Sequence, residues 1–366
     1  MICENARCMN IVNLLEFESA ARAHLEPSAF DYFVSGADDE VTLAENRAAF
    51  SRLKLHYRVL TGIKTRSLET EILGQRLALP VIVAPMAFQR LADTDGEVAM
   101  ARAIADAGSL MTMSTMATSS MEEIQQKSPA TKLWYQIYLF KDQGANFEMI
   151  ERAERAGARA LVLTVDTPML GKRERDVRNR FQPPTHLGLG NLLAGLDAVP
   201  EDTAGSGLAA HAKARFKLEI GWEDLAWLCS VSSLPVIIKG VCHHADAKIA
   251  LEHGIAGIWV SNHGGRQLDT SPATIDVLPR IADAVAGAVP LILDGGVRRG
   301  TDVIKALAIG ANCVAVGRPM MWALALGGQA GVAHAFDLLR AEIDAALCLS
   351  GYADVRGLPR SLLTGD

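Results

Sequence analysis

The stretch Gly257-Ile258-Trp259-Val260-Ser261-Asn262-His263-Gly264-Gly265-Arg266-Gln267-Leu268-Asp269 decides how the rest of the chain is read. Its first four residues form an apolar run short enough to be one buried strand. The run ends in a histidine, two glycines and an arginine. A strand that stops there carries an imidazole and a guanidinium at its C-terminal tip. The glycines let the backbone turn tightly and approach a ligand closely. Histidine exchanges a proton near neutral pH. Arginine three residues on can grip a carboxylate with two parallel hydrogen bonds. The stretch therefore reads as a base beside an anion clamp. In isolation it would read equally as a satisfied turn histidine beside a surface arginine, so its surroundings decide.

Seven further runs resemble strands: Leu79–Pro85, Leu110–Thr115, Leu133–Tyr138, Ala160–Asp166, Pro235–Lys239, Pro290–Asp294 and Cys313–Gly317. Helical segments separate many of them, at about 96–107, 120–126, 146–156, 245–253 and 301–309. Eight strands alternating with helices predict an α/β fold, a closed (β/α)8 TIM barrel. Nearly continuous apolar strands fit a parallel sheet buried on both faces. An open doubly wound sheet would carry a Gly-rich nucleotide turn after its first strand, and none is present. Ahead of the barrel, helical patterns at 14–23, 27–34 and 40–50 predict an N-terminal helical cap. Residues 1–11 read as a loose tail. The connection after strand four, 182–221, is long for a βα loop and predicts a mobile lid at the mouth. The whole chain, 1–366, reads as a single domain.

Composition bounds the function. Of 366 residues, 49% are hydrophobic, which suits a globular fold. The net charge of −6 gives no support to a nucleic-acid partner. Six cysteines without a C-x-x-C pair suggest neither a zinc site nor a dithiol motif. Cys229, Cys242 and Cys313 lie in or beside apolar runs and read as core thiols. No apolar run is long enough to cross a bilayer. The N-terminus lacks a basic-then-apolar signal, and Leu363–Asp366 is not a peroxisomal address. A cytoplasmic location is the expectation.

Polar residues fall repeatedly at the strands' C-terminal ends: Ser114, Gln136 with Tyr138, Thr164 with Asp166, Lys239, Ser261 with His263, Asp294, and Gly317 with Arg318. In a barrel those ends share one face, where active sites are built. Asp294-Gly295-Gly296-Val297-Arg298-Arg299-Gly300 and Gly317-Arg318-Pro319 follow strands seven and eight. Barrels often bind a phosphate between these two loops. A phosphate ligand that also calls for Ser, Gln, Thr and Lys from successive strands suits a flavin mononucleotide. Ser114, Gln136 and Thr164 could pair with its pyrimidine edge, and Lys239 could sit beside N1 and O2. A Schiff-base role for Lys239 is the other reading; the neighbouring histidine and arginine favour the flavin.

With these pieces in place, the chain resembles the FMN-dependent 2-hydroxy-acid oxidase family, which includes glycolate oxidase, lactate oxidase, 4-hydroxymandelate oxidase and mandelate dehydrogenase. The resemblance runs from about Asp31 to Pro359. It is carried by the opening stretch and by Ala84-Pro85-Met86-Ala87, Gln136-Ile137-Tyr138, Thr164-Val165-Asp166-Thr167-Pro168, Val236–Gly240, Asp294–Gly300 and Gly317-Arg318-Pro319. It implies that His263 is the base and Asp166 the carboxylate that orients it. It implies that Arg266 and Arg173 bind the substrate carboxylate, with Tyr32 and Tyr138 reaching the substrate. Lys239 would lie beside flavin N1. Ser114, Gln136, Thr164, Ser261 and the backbone around Pro85, Met86 and Ala87 would contact the ring. Asp294, Gly295, Gly296, Arg298, Gly317 and Arg318 would hold the ribityl chain and phosphate.

The implied reaction oxidises an (S)-2-hydroxy acid to a 2-oxo acid, with O2 reduced to H2O2 or another acceptor taking the electrons. Either His263 takes the hydroxyl proton as hydride leaves the α-carbon, or it takes the α-proton to leave a carbanion. A homotetramer is the family's habit. An unrelated FMN barrel, such as a type 2 isopentenyl-diphosphate isomerase, would not need the His263, Arg266 and Tyr138 set. Met116, Met169 and Met86 stand where plant glycolate oxidases carry tryptophan, arginine and threonine. Methionine adapts to irregular space, so a roomier apolar pocket is expected, for lactate or a larger side chain. Tyr32 tilts the reading toward lactate; the stretches Pro85–Gly96 and Asp176-Val177-Arg178-Asn179 are shared with 4-hydroxymandelate oxidases. The segment Gly188–Leu196 falls where membrane-bound mandelate dehydrogenase carries its membrane anchor; it is short and flanked by acidic residues, and a lid is favoured over a membrane role.

Overall fold

The computed structural model describes residues 10–192 and 206–364. Each apolar run named above overlaps a strand: β1 Val81–Val83, β2 Leu110–Met113, β3 Lys132–Ile137, β4 Leu161–Thr164, β5 Val236–Val241, β6 Gly257–Val260, β7 Leu291–Leu293 and β8 Cys313–Val316. They pair in parallel, in chain order, and β8 closes on β1 with Val314 opposite Val81. The predicted TIM barrel is the observed fold.

Strand side chains alternate between faces. Ile82, Trp134, Val162, Ile237, Trp259, Ile292 and Cys313 fill the lumen as one buried cluster. Val81, Leu133, Leu161, Val236, Ile258 and Leu291 face the surrounding helices in the other. A hairpin of Thr70–Ile72 and Gln75–Leu77 packs Ile72 and Leu77 into the lumen cluster.

The cap consists of helices Glu16–Arg22, Pro27–Val34 and Val41–Arg52. The third starts at Glu40, whose backbone is left-handed and whose side chain does not cap it. Asp269, at the far end of the opening stretch, supplies the cap instead. Its carboxylate accepts from the N–H groups of Asp39, Val41 and Thr42 at 3.1, 3.3 and 2.8 Å. Nearby, Asn46 and Asn262 exchange two reciprocal 2.9 Å hydrogen bonds. These contacts seat the cap over the C-terminal end of the barrel.

Most of the expected tail and the middle of the expected lid, 193–205, lie outside the described residues. The described remainder of 182–221 contains a helix, Gly207–Arg215, which the weak periodicity did not predict. Its start has a local cause: the Ser206 hydroxyl accepts from Ala209 N–H. Of the expected core thiols, Cys313 is buried, while Cys229 and Cys242 are half-buried. Burial pushes Cys242 up to about 12, so it is a poor nucleophile.

Asp269→Ala should cost about 1–2 kcal/mol, the range for losing a helix cap. Urea titration measures this; an unmoved midpoint would show that the remote cap does not hold the helix.

Candidate active site

Strand parity builds the site. On β3, Trp134 points into the lumen, so Gln136 and Tyr138 continue on that face. The same count leads from Val162 to Thr164 and Asp166, from Ile237 to Lys239, from Trp259 to Ser261 and His263, and from Ile292 to Asp294. One cavity opens there. Of the residues singled out from the sequence, Tyr32, Pro85, Met86, Ala87, Ser114, Met116, Gln136, Tyr138, Thr164, Arg173, Lys239, His263, Arg266, Asp294, Gly295, Gly296, Arg298, Gly317 and Arg318 line it. Asp166 and Ser261 stand just behind this lining. Met169 does not belong to it: its side chain is 70% exposed on the surface, so the expectation that it widens the pocket is corrected.

His263 adopts a left-handed backbone, φ +57°, ahead of Gly264 and Gly265 at +64° and +76°. This turn brings Nδ1 within 2.9 Å of Asp166 Oδ1. An ionised carboxylate only accepts, so the proton sits on Nδ1 and the Nε2 lone pair is left for a ligand. Burial pushes the imidazole below its ordinary pKa, against the upward pull of Asp166. Burial by itself would raise Asp166; the charges of His263 and Lys239 outweigh it and hold the carboxyl low. Gly240 makes room for the pair, because a side chain there would meet Asp166 Cβ at 2.7 Å. Gln267 fixes the Asp166 loop, donating to the carbonyls of Asp166 at 2.8 Å and Met169 at 2.9 Å.

Lys239 Nζ donates to Ser261 Oγ at 3.0 Å and stands 3.7 Å from Asp294 Oδ2. Trp259 Nε1 donates to that same oxygen at 2.9 Å, leaving Asp294 Oδ1 buried without a partner among the described residues. Gln136 Oε1 accepts from Thr115 N–H at 3.2 Å, while Gln136 Nε2 has no partner among the described residues. The cavity thus holds an unpaired amide donor, an unpaired carboxylate acceptor and an ammonium group. Such unmet groups are costly unless a ligand meets them.

The two glycine loops lie against the cap. A Cβ on Gly296 would fall 1.9 Å from Asn46 O, and one on Gly295 would fall 2.7 Å from Thr274 Oγ1. Only glycine permits this approach at φ +89° and +97°. Arg298 is pushed down to about 10, first by burial and then by the charge of Arg47. An excess of buried positive charge beside the N-terminus of helix Gly300–Ile309 suits an anion.

Arg266 Nη1 donates to the carbonyls of Tyr32 and Ser35, both at 2.8 Å, and Phe33 at 3.3 Å. Its main-chain bonds all leave from this one nitrogen. Burial first, then Arg173, lowers its pKa to about 10. Arg318 donates from Nε, Nη1 and Nη2 to the carbonyls of Phe33, Gly264 and Ser35. The arginine expected to hold phosphate is therefore also a brace between the cap and the motif loop. Burial raises both Tyr32 and Tyr138, so their phenols stay protonated donors.

Sequence reasoning missed the aromatic packing around these tyrosines. Tyr32 stacks on Phe181, with ring centroids 4.3 Å apart, and Tyr138 packs on Phe216 at 5.0 Å. Leu208, Ala212, Phe216, Leu218 and Ile220 of the long connection line the mouth. Leu208, Ala212 and Phe216 recur at a helical spacing of four and Phe216, Leu218 and Ile220 alternate, a mixed pattern too short to stand out in the long connection.

A family model described as FMN-dependent dehydrogenase matches residues 21–365. An L-lactate oxidase of Nostoc sp. is 48% identical over 357 residues, covering 96% of this chain and 98% of that protein. The glycolate oxidase of Spinacia oleracea is 45% identical, covering 98% and 97%. A crystal structure of mandelate oxidase with (S)-4-hydroxymandelic acid superposes with a TM-score of 0.90 at 40% identity, covering 94% and 96%. The closed parallel barrel, the flavin-compatible donor set and these likenesses agree, and the chain belongs to the FMN-dependent dehydrogenase family.

Proposed function

We propose that the chain is an FMN-dependent (S)-2-hydroxy-acid oxidase that converts a lactate-like or larger acid to its 2-oxo acid, with O2 reduced to H2O2. The observation that carries this reading is the free Nε2 of His263 in the same cavity as Arg266, Arg173, Tyr32 and Tyr138. FMN supplies the two-electron acceptor, which no side chain here provides. Gln136 Nε2 would donate to the ring's pyrimidine edge, with Ser114, Thr164 and Ser261 beside it. Asp294 Oδ1 would accept from the ribityl chain. Lys239 would offset negative charge at N1. The backbone of Pro85, Met86 and Ala87 would support the ring, and Gly295, Gly296, Arg298, Gly317 and Arg318 would enclose the phosphate.

Arg266, Arg173 and the two phenols would bind the substrate carboxylate and turn the α-carbon toward the flavin. His263 then receives a proton, from the hydroxyl or from the α-carbon, and Asp166 stabilises the imidazolium. Met86, Met116, Leu139, Leu170, Leu208 and Phe216 give the cavity an apolar side that glycolate would leave unfilled. The aromatic wall and the structural likeness to mandelate oxidase support (S)-mandelate as a second reading. Exposed Tyr57, Val59, Leu60 and Leu349 are consistent with a homotetramer of single-domain subunits. Among the described residues no helix is long and apolar enough to cross a membrane; a cytoplasmic location stays part of the proposal.

Anaerobic addition of 2-hydroxy acids should bleach the flavin, fastest with apolar side chains, and air should restore the colour with release of H2O2. No bleaching by any acid overturns the reading; colour that returns only with a quinone reassigns the enzyme as a dehydrogenase.

The acid limb of kcat/KM should lie below the ordinary histidine range, because burial holds His263 deprotonated. Asp166 pulls that pKa upward, so Asp166→Asn should move the limb to still lower pH. It should also slow flavin reduction by roughly 10²–10⁴, the usual worth of general acid–base assistance. A limb displaced to higher pH would contradict the pairing.

Arg266→Lys keeps the charge but loses the planar fork. It should weaken substrate binding, slow reduction and lower stability together, since Arg266 also braces the cap. Stopped-flow reduction across substrate concentrations separates these effects; unchanged dissociation constant and rate in a folded, yellow variant would leave Arg266 a brace only.

A further inference from the structure

Arg173 precedes the short helix Glu174–Arg178, and Asp176 is the third residue of that helix. Both are buried, at 5% and 2% exposure. Arg173 Nη1 stands 3.7 Å from Asp176 Oδ2, an ion pair longer than a hydrogen bond. Neither Asp176 oxygen has a hydrogen-bond partner among the described residues, and neither does Arg173 Nε. An acid at this position often turns back to cap the helix start. Asp176 does not; burial pushes its carboxyl above the ordinary carboxylate range, and the neighbouring guanidiniums offset only part of that desolvation. The charges it feels most are Arg266 and Arg173, while Asp31 opposes them. Asp31 is itself engaged by Asn179 at 2.9 Å and Arg175 at 3.5 Å. Arg173 lines the cavity and Asp176 lies behind it.

The charges of the clamp can be counted. Arg173 and Arg266 contribute two positive charges, and the phenols of Tyr32 and Tyr138 are neutral. Asp176 contributes one negative charge, so the clamp presents a single net positive charge to its ligand. We propose that Asp176 is a positioning residue that holds Arg173 and sets the clamp to accept a monoanionic 2-hydroxy acid while rejecting dicarboxylates. This deepens the function proposed above and rests on its carboxylate-clamp reading.

Propionate and malonate test it, being close in size and differing by one charge. Their dissociation constants are read from the flavin absorption of the holoenzyme, at mildly alkaline pH where both malonate carboxyls are ionised. Asp176→Asn should raise the affinity ratio of malonate over propionate by roughly tenfold or more, as one buried charge a few ångströms away implies. Arg173→Gln should shift the ratio the opposite way, and it carries the test if Asp176→Asn does not fold. The double variant should return the ratio toward the parent's, which a purely structural role would not do. An unchanged ratio in the folded single variants overturns the proposal. Arg266→Met, measured alongside, separates the two failures. If it loses both anions while the ratio stays fixed, only the role of Asp176 falls. If it binds both as the parent does, the clamp reading falls and the proposal with it.

Discussion

The C-terminal carbonyls of helix Pro27–Val34 have no partners within the helix, as at any helix end. Two guanidiniums meet them here: Arg266 from the loop after β6 and Arg318 from the start of the helix after β8. The negative end of the helix dipole favours these cations where water is scarce. Because the helix is held there, Tyr32 faces the cavity. Because Arg266 is held there, its remaining nitrogens have a fixed direction. Cap, clamp and motif loop are thus one mechanical unit, and Arg318 Nη1 completes it by bonding Gly264 O at 2.9 Å.

Electrostatics follow from the same crowding. Arg173, Arg266, Arg298 and Arg318 are packed close enough that several depress one another. Such a surplus of buried positive charge is expensive for an empty protein and favourable for one holding a phosphate and a carboxylate. Asp166 and Asp294 offset part of it, each with one buried oxygen unpartnered among the described residues. The cavity therefore favours anionic ligands.

Much of this was legible in the sequence because a strand has a period of two. Once Trp259 is a lumen residue, Ser261 and His263 are committed to the mouth, and the same count works on β3, β4, β5 and β7. What could not be read depends on contacts distant in sequence. Asn46 finds Asn262 across 216 positions, and Asp269 caps a helix 227 positions earlier. Helix Thr274–Val285 carries Pro279 inside it, a residue that argues against a helix on local grounds. Met169 was misplaced for a related reason: Gln267 holds its carbonyl and leaves its side chain outside.

The route by which the barrel closes determines when its contacts can form during synthesis. β1 is paired on one side by β8, about 230 residues later, and Lys54–Leu55 pairs with Leu363–Thr364. A ribosome therefore releases the cap and first strand long before their partners exist, and contacts so far apart form late. The arginines that seat the cap helix, Arg266 and Arg318, are also made more than 200 residues after it. An incomplete chain therefore leaves one apolar edge of β1 unpaired while about 230 further residues are made. Chaperone demand should fall on that edge.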